Sequence, residues 1–229
     1  MVWEWLTASL DATRGHEVDM GHAWHGRFMV LAWGICAPLG VLIARYLKVT
    51  PNQRWPEELD NRFWWRSHLW LQSAATIFLG IGLAIAVFNR GEGAPGHLHA
   101  WFGWIVVWGT VFQVIGGLLR GTKGGPSDPR PDGSLHGDHY GMTRRRRIFE
   151  HLHKALGYLL LMVSNLVVLQ GLWMLNAPKW MPLLLVAFWA ILFLVVRQLR
   201  SRPLVSTYQA IWGLDPIHPG NHASGKTLD

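Results

Sequence analysis

HGRFMVLAWGICAPLGVLIA, residues 25–44, sets one ionisable ring at the head of an apolar run that stays uncharged from Phe28 to Ala44. The arrangement recurs with His68 before Leu69–Phe88, His99 before Ala100–Leu119 and His153 before Ala155–Ala177. A fifth uncharged run covers Trp180–Val196. Crossing the hydrocarbon core takes about 20 apolar residues, within about 17–25, so the pattern predicts an all-α membrane protein with five transmembrane helices. Half of the residues are hydrophobic and only 15% are charged, too few charges for a soluble domain of this size.

The net charge of +7 is distributed as in a membrane protein, which argues against a nucleic-acid partner. Arg45, Lys48, Arg54, Arg62 and Arg66 lie between the first two runs. Arg120, Lys123, Arg130 and Arg144 to Arg147 lie between the third and fourth, and Arg197, Arg200 and Arg202 follow the fifth. The alternate ends carry chiefly Arg14, Arg90 and Lys179. The positive-inside rule then puts the N-terminus outside and the C-terminus in the cytoplasm. The expected organisation is an external segment 1–24, a four-helix core 25–175 with a cytoplasmic loop 120–147, a fifth span 180–199 and a cytoplasmic tail 200–229. The acidic, aromatic start Met1-Val2-Trp3-Glu4-Trp5 does not read as a cleavable signal. Trp3, Trp5 and Trp24 suit the interface.

Within this topology His25 and His99 fall at the outer ends of their helices, and His68 and His153 at the inner ends. Roughly 20 residues at 1.5 Å rise separate the two levels, so no metal ion is shared between them and two centres follow. Zinc gathers three or four ligands, and calcium and magnesium want clustered carboxylates; the spans offer neither. Two facing imidazoles with no open position suit a haem iron that passes electrons. One histidine at a membrane helix end is more often an interfacial residue than a ligand; four in consecutive spans reverse that. Gly80, Gly82 and Gly171 at the outer level, and Gly40, Gly116 and Gly117 at the inner, are small residues where flat rings need room, although glycine also serves plain helix packing. His22, His97 and His151 compete as neighbours, and His16, His136, His139, His218 and His222 read as loop residues. Cys36 reads as a packing residue. The four arginines 144–147 are expected to fix topology, hold anionic lipid headgroups or attract an anionic electron donor. In the tail, 208–212 is too short to span and Asp215–Asn221 should be irregular, a loose terminus being the common outcome.

Four blocks carry a resemblance. They are His25-Gly26-Arg27-Phe28-Met29 continuing through Ala32-Trp33-Gly34 and Pro38-Leu39-Gly40; His68-Leu69-Trp70-Leu71-Gln72; His99-Ala100-Trp101-Phe102-Gly103 with Gln113 and Gly116-Gly117; and His153-Lys154-Ala155-Leu156-Gly157-Tyr158 with Asn165 and Gly171. Together, over about residues 22–175, they resemble the cytochrome b561 family, in the form found beside DOMON domains. The resemblance implies two b-type haems, ligated by His25, His99, His68 and His153, and electron transfer between donors and acceptors on opposite faces of the bilayer. Arg27, Arg66 and Lys154 are candidates for neutralising the haem carboxylates. The expected form is a stand-alone transmembrane reductase of a bacterial inner membrane, with five spans where many members have six. Its donor and acceptor, small molecules or proteins, stay open, as does oligomer formation. Three other readings are a quinone-linked haem anchor subunit, a haem-free metal or proton transporter, and a cofactor-free assembly or scaffold protein.

Overall fold

The computed structural model describes residues 1–14, 19–89, 98–123, 136–200, 204–215, 218 and 221. Seven helices are assigned there: α1 (Val2–Thr7), α2 (Met20–Tyr46), α3 (Phe63–Phe88), α4 (Leu98–Leu118), α5 (Arg144–Met174), α6 (Trp180–Arg200) and α7 (Thr207–Trp212). The five from α2 to α6 are long and apolar enough to cross a membrane. The shortest have 21 residues, which at 1.5 Å per residue is about 31 Å, the thickness of a hydrocarbon core. Among the described residues there is no strand, only an isolated bridge between Ser9 and Pro178. The chain is an all-α, multi-pass membrane protein.

Three helices start well before their apolar runs, α3 at Phe63 among them. α2 begins at Met20, capped by the Asp19 carboxylate accepting from the His22 amide at 2.8 Å. α5 begins at Arg144, where the Thr143 hydroxyl accepts from the Arg146 amide at 3.3 Å. Consequently His25, His68 and His153 sit inside helices and not at their entrances. Apolarity marks only the lipid-immersed part of a helix, whereas the cap marks its start.

Midway along α2 the helix widens into a π-turn over Val30–Cys36. Pro38 explains it: proline has no N–H for the carbonyl four residues back, Gly34, and its ring crowds that carbonyl. The freed Gly34 oxygen accepts instead from Trp189 Nε1 of α6 at 2.9 Å. A Cβ on Gly34 would come within 2.9 Å of Leu185 Cδ1, so glycine lets α6 dock here. Leu185 is the buried residue of α6; most of that helix is left facing lipid.

The core is formed by Ala32, Trp33 and Ala37 of α2, Ala75 and Leu79 of α3, Val106 of α4, and Leu160, Val168 and Leu172 of α5. Small residues set the helix spacing, as expected where lipid provides no hydrophobic contrast. Gly109 is filled by Leu160 and Gly40 by Leu71 and Gln72. Outside the bundle, the N-terminal segment pairs Leu10 N with Ala177 O, and the Asn176 side chain holds the backbone of Asp11 and Arg14.

The tail departs from the loose terminus expected of it. Ser206 and Gln209 form a capping box, and Tyr208, Gln209, Ala210 and Ile211 are buried. Backbone pairing of Asp60 N with Ala210 O and the Tyr208 hydroxyl on Glu150 tie the tail to two other parts of the chain. His139 and His218, which read as loop residues, are buried in an aromatic cluster with Tyr140, Tyr208 and Trp212. Apolar patterning over six residues is too short to announce such docking.

That cluster predicts a pH response. Burial, followed by the charges of Arg146, Arg120 and Lys123, pushes His139 down from 6.5 to about 2. Undocking the tail removes burial while those cations stay, so docking is most stable where His139 is neutral and weakens as pH falls from about 6.5 towards about 5 and the undocked ring protonates. Hydrogen exchange at the α7 amides should accelerate, relative to its intrinsic rate, over this range, and His139→Gln should flatten the dependence; a pH-independent opening free energy in the parent protein would refute the assignment.

Candidate functional site

Four histidines meet in two pairs. The rings of His25 and His99 have centroids 6.1 Å apart at an interplanar angle of 82°. Those of His68 and His153 are 6.2 Å apart at 77°. Metal–imidazole nitrogen bonds run about 2.0–2.1 Å, so two imidazoles on opposite sides of one metal ion have ring centres roughly 6 Å apart. Both pairs have that spacing.

The ring orientations come from the neighbouring backbone. His25 Nδ1 lies 2.8 Å from Gly82 O and His68 Nδ1 lies 3.1 Å from Gly40 O. A carbonyl only accepts, so in each ring Nδ1 carries the proton and Nε2 keeps its lone pair for a metal. The bonds are reciprocal: α2 supplies a ring to α3 at one level, and α3 supplies a ring to α2 at the other. His153 stacks on Phe149 at 5.0 Å and His68 on Trp65 at 6.4 Å. The Nδ1 of His153 is buried with no hydrogen-bond partner among the described residues, while its carbonyl accepts from Gln113 Nε2 of α4 at 2.9 Å.

Beside the first pair is a cavity of about 480 Å³, bounded by His25, His99, Met29, Trp33, Gly103 and Gly171. Its lining is mainly apolar, and glycine is needed at one wall, where a Cβ on Gly171 would stand 3.1 Å from His99 Cε1. Gly82 abuts Phe28 and the His25 carbonyl. By contrast, Gly80, Gly116 and Gly117 face open space, so close packing does not account for them.

The flanking cations have separate placements. Arg27 stacks on Trp24 at 4.6 Å, Lys154 pairs with Glu150, and Arg66 lines a second cavity next to Trp65 and Leu69. His22 also lines the first cavity and pairs with Asp19 at 3.1 Å. His151 is exposed and bonds back to Arg147 O, whereas His16, His97, His222, Arg90, Arg130 and Arg202 lie outside the described residues. Sequence reasoning did not single out Trp33, Trp65 and Phe149 as site residues, because an aromatic in an apolar run carries no mark of the ring it will face.

Residues 24–128 match the family described as eukaryotic cytochrome b561. A cytochrome b561, DM13 and DOMON domain-containing protein of Arabidopsis thaliana is 29% identical over 150 residues, 65% of this chain and 14% of that protein. Over this stretch the chain is similar to the cytochrome b561 family. A second Arabidopsis thaliana relative, a cytochrome b561 and DOMON domain-containing protein, is 26% identical over 158 residues, 68% of this chain and 33% of its own length. The chain thus spans a third or less of these curated relatives. No solved structure matches it. The segment matching cytochrome b561 includes His25, His68 and His99 and ends before His153.

That family is one of membrane proteins with b-type haem and a part in electron transport. The residues present fit that group. Among the described residues no three His, Cys, Asp or Glu side chains are close enough to enclose a metal ion, so each centre offers two imidazoles, the donor set of a low-spin haem iron.

Proposed function

We propose that this chain is a cytochrome b561 protein that holds two b-type haems, one between His25 and His99 and one between His68 and His153, and passes electrons between a donor and an acceptor on opposite membrane faces. The observation that supports this reading best is the pair of near-perpendicular imidazole couples, at 6.1 and 6.2 Å, at opposite ends of one helical core. Bound there, haem iron supplies a one-electron couple. The chain's own part is to hold and insulate it. Each Nε2 is kept unprotonated by the bond at Nδ1 where a carbonyl is present, and the apolar walls exclude water from the iron ligands. With an imidazole from each of two helices on each iron, no position would be left there for a substrate. Arg27, Arg66 and Lys154 would neutralise the haem carboxylates. The basic residues favour the His68–His153 end as the cytoplasmic one, with the N-terminus outside, as in a bacterial inner membrane.

A reduced-minus-oxidised spectrum of the detergent-purified protein, with haem and protein quantified together, tests the reading. It should show a b-type α-band at about two haems per chain. Protein made with ample haem supply and lacking the band would overturn it. A finer test uses Gly171→Ala, whose new methyl group would press on the His99 ring and cost about 1–3 kcal/mol if the ring cannot yield. The midpoint potential of one centre should move while the other stays; equal movement of both would contradict the separation of the two centres.

A further inference from the structure

At the His68–His153 end of the bundle, α2, α5 and α6 bring two arginines onto two tyrosines. Arg45, in the last turn of α2, donates to the Tyr158 hydroxyl of α5 at 2.9 Å. Arg200, the last residue of α6, donates to the Tyr46 hydroxyl at 3.3 Å. The Arg45 guanidinium also stands 5.6 Å from the centre of the Tyr46 ring and 5.8 Å from that of Tyr158, so the four side chains form one patch. Lys48, just past the end of α2, is half-buried and donates to the Val205 carbonyl at 3.3 Å. Among the described residues no carboxylate pairs with Arg45, Lys48 or Arg200.

The last carbonyls of a helix attract cations without any ligand. Here, however, neither guanidinium bonds such a carbonyl among the described residues; each is turned to a neutral phenol, which brings no counter-charge. A phenol that accepts from an arginine still has its own O–H to donate, and neither tyrosine has an acceptor for it among the described residues. The patch therefore consists of donors alone, two guanidinium forks and two hydroxyls. Its field reaches Lys48, which burial, and then the charges of Lys154 and Arg45, bring down to about 8. Glu150 also acts on Lys48 but is already held by Lys154 and the Tyr208 hydroxyl. A phosphate answers such a set, because several oxygens on one centre accept from forks and hydroxyls together and carry the opposite charge.

We infer that this patch binds the phosphate of an anionic phospholipid, received between Arg45 and Arg200 and by the hydroxyls of Tyr46 and Tyr158. The inference stands apart from the two-haem reading and uses none of the residues assigned to the haem carboxylates. The surroundings favour a lipid over a soluble phosphate ester. Leu185 is the buried residue of α6, and on the approach to Arg200 that helix exposes Ile191, Phe193, Leu194 and Val195. Beside Tyr158, α5 exposes Leu159 and Met162. The acyl chains of a lipid anchored at the patch would lie along these side chains.

The test uses the haem-loaded protein in a neutral detergent. Native mass spectrometry with equimolar phosphatidylglycerol and phosphatidylcholine should show retention of phosphatidylglycerol favoured at least about tenfold, equivalent to about 1.4 kcal/mol. Arg45→Gln combined with Arg200→Gln should abolish the preference. Tyr46→Phe combined with Tyr158→Phe keeps every charge and both rings, and should weaken it severalfold; an unchanged preference in that variant would show attraction by charge alone and overturn the site. Arg197→Gln, on an exposed α6 residue that touches neither tyrosine, should leave the preference intact, whereas a loss equal to that of Arg200→Gln would overturn it too. Haem content and circular dichroism of each variant read the two centres and the fold separately from lipid retention. A parent protein without the lipid preference, or one that responds only to inorganic phosphate in a thermal shift, overturns the inference.

Discussion

Replacing His25 with alanine is expected to lower bound haem from about two to about one per chain. His99→Ala should give the same loss, and the double variant no more, because both rings face one centre at 6.1 Å. Combining His25→Ala with His68→Ala should remove nearly all of it, the second ring belonging to the pair 6.2 Å across from His153. The signature is non-additivity within a pair and additivity between pairs. The ratio of haem to protein reads the first quantity, and circular dichroism shows whether the helices persist. If His25→Ala and His99→Ala each removed a different half, the pairing would be wrong. Full haem content in either would exclude that histidine as a ligand.

The second large effect concerns the tail. Ile211 is 1% exposed, held between the aromatic cluster and the cavity wall it helps to form. Truncation to alanine should cost the docked tail about 2–5 kcal/mol. Hydrogen exchange at the α7 amides would then accelerate roughly 30-fold to several thousandfold. The Soret and α-bands should change little, since Ile211 touches neither histidine pair. Unchanged protection would mean that the tail is held elsewhere, for instance by the Tyr208–Glu150 bond alone.

The five spans were legible because a bilayer imposes length and apolarity on any helix that crosses it. Charge alternation between loops gave a consistent threading, and with it the levels at which four rings meet. Composition and periodicity said nothing about the π-turn, although Pro38 and Gly34 are its sequence marks: only the partner, Trp189 from a distant helix, makes the altered hydrogen bonding complete. The same holds for the tail. Tyr208 and Ile211 resemble any short apolar stretch, and their burial depends on Trp55, Asp60 and Glu150, which are far away in the chain. Extension of α2 and α5 beyond their apolar runs was written in Asp19 and Thr143, ordinary cap residues that an apolarity count passes over.

The reciprocal bonds of His25 to Gly82 and His68 to Gly40 make α2 and α3 a ruler with two fixed marks. Fifteen residues separate His25 from Gly40 and fourteen separate Gly82 from His68, about 22 Å and 21 Å along their helices. Two nearly equal lengths, read in opposite directions and pinned at both ends, leave no sliding motion that preserves both bonds. The span between the two histidine pairs is therefore set by residue count, independent of bilayer thickness.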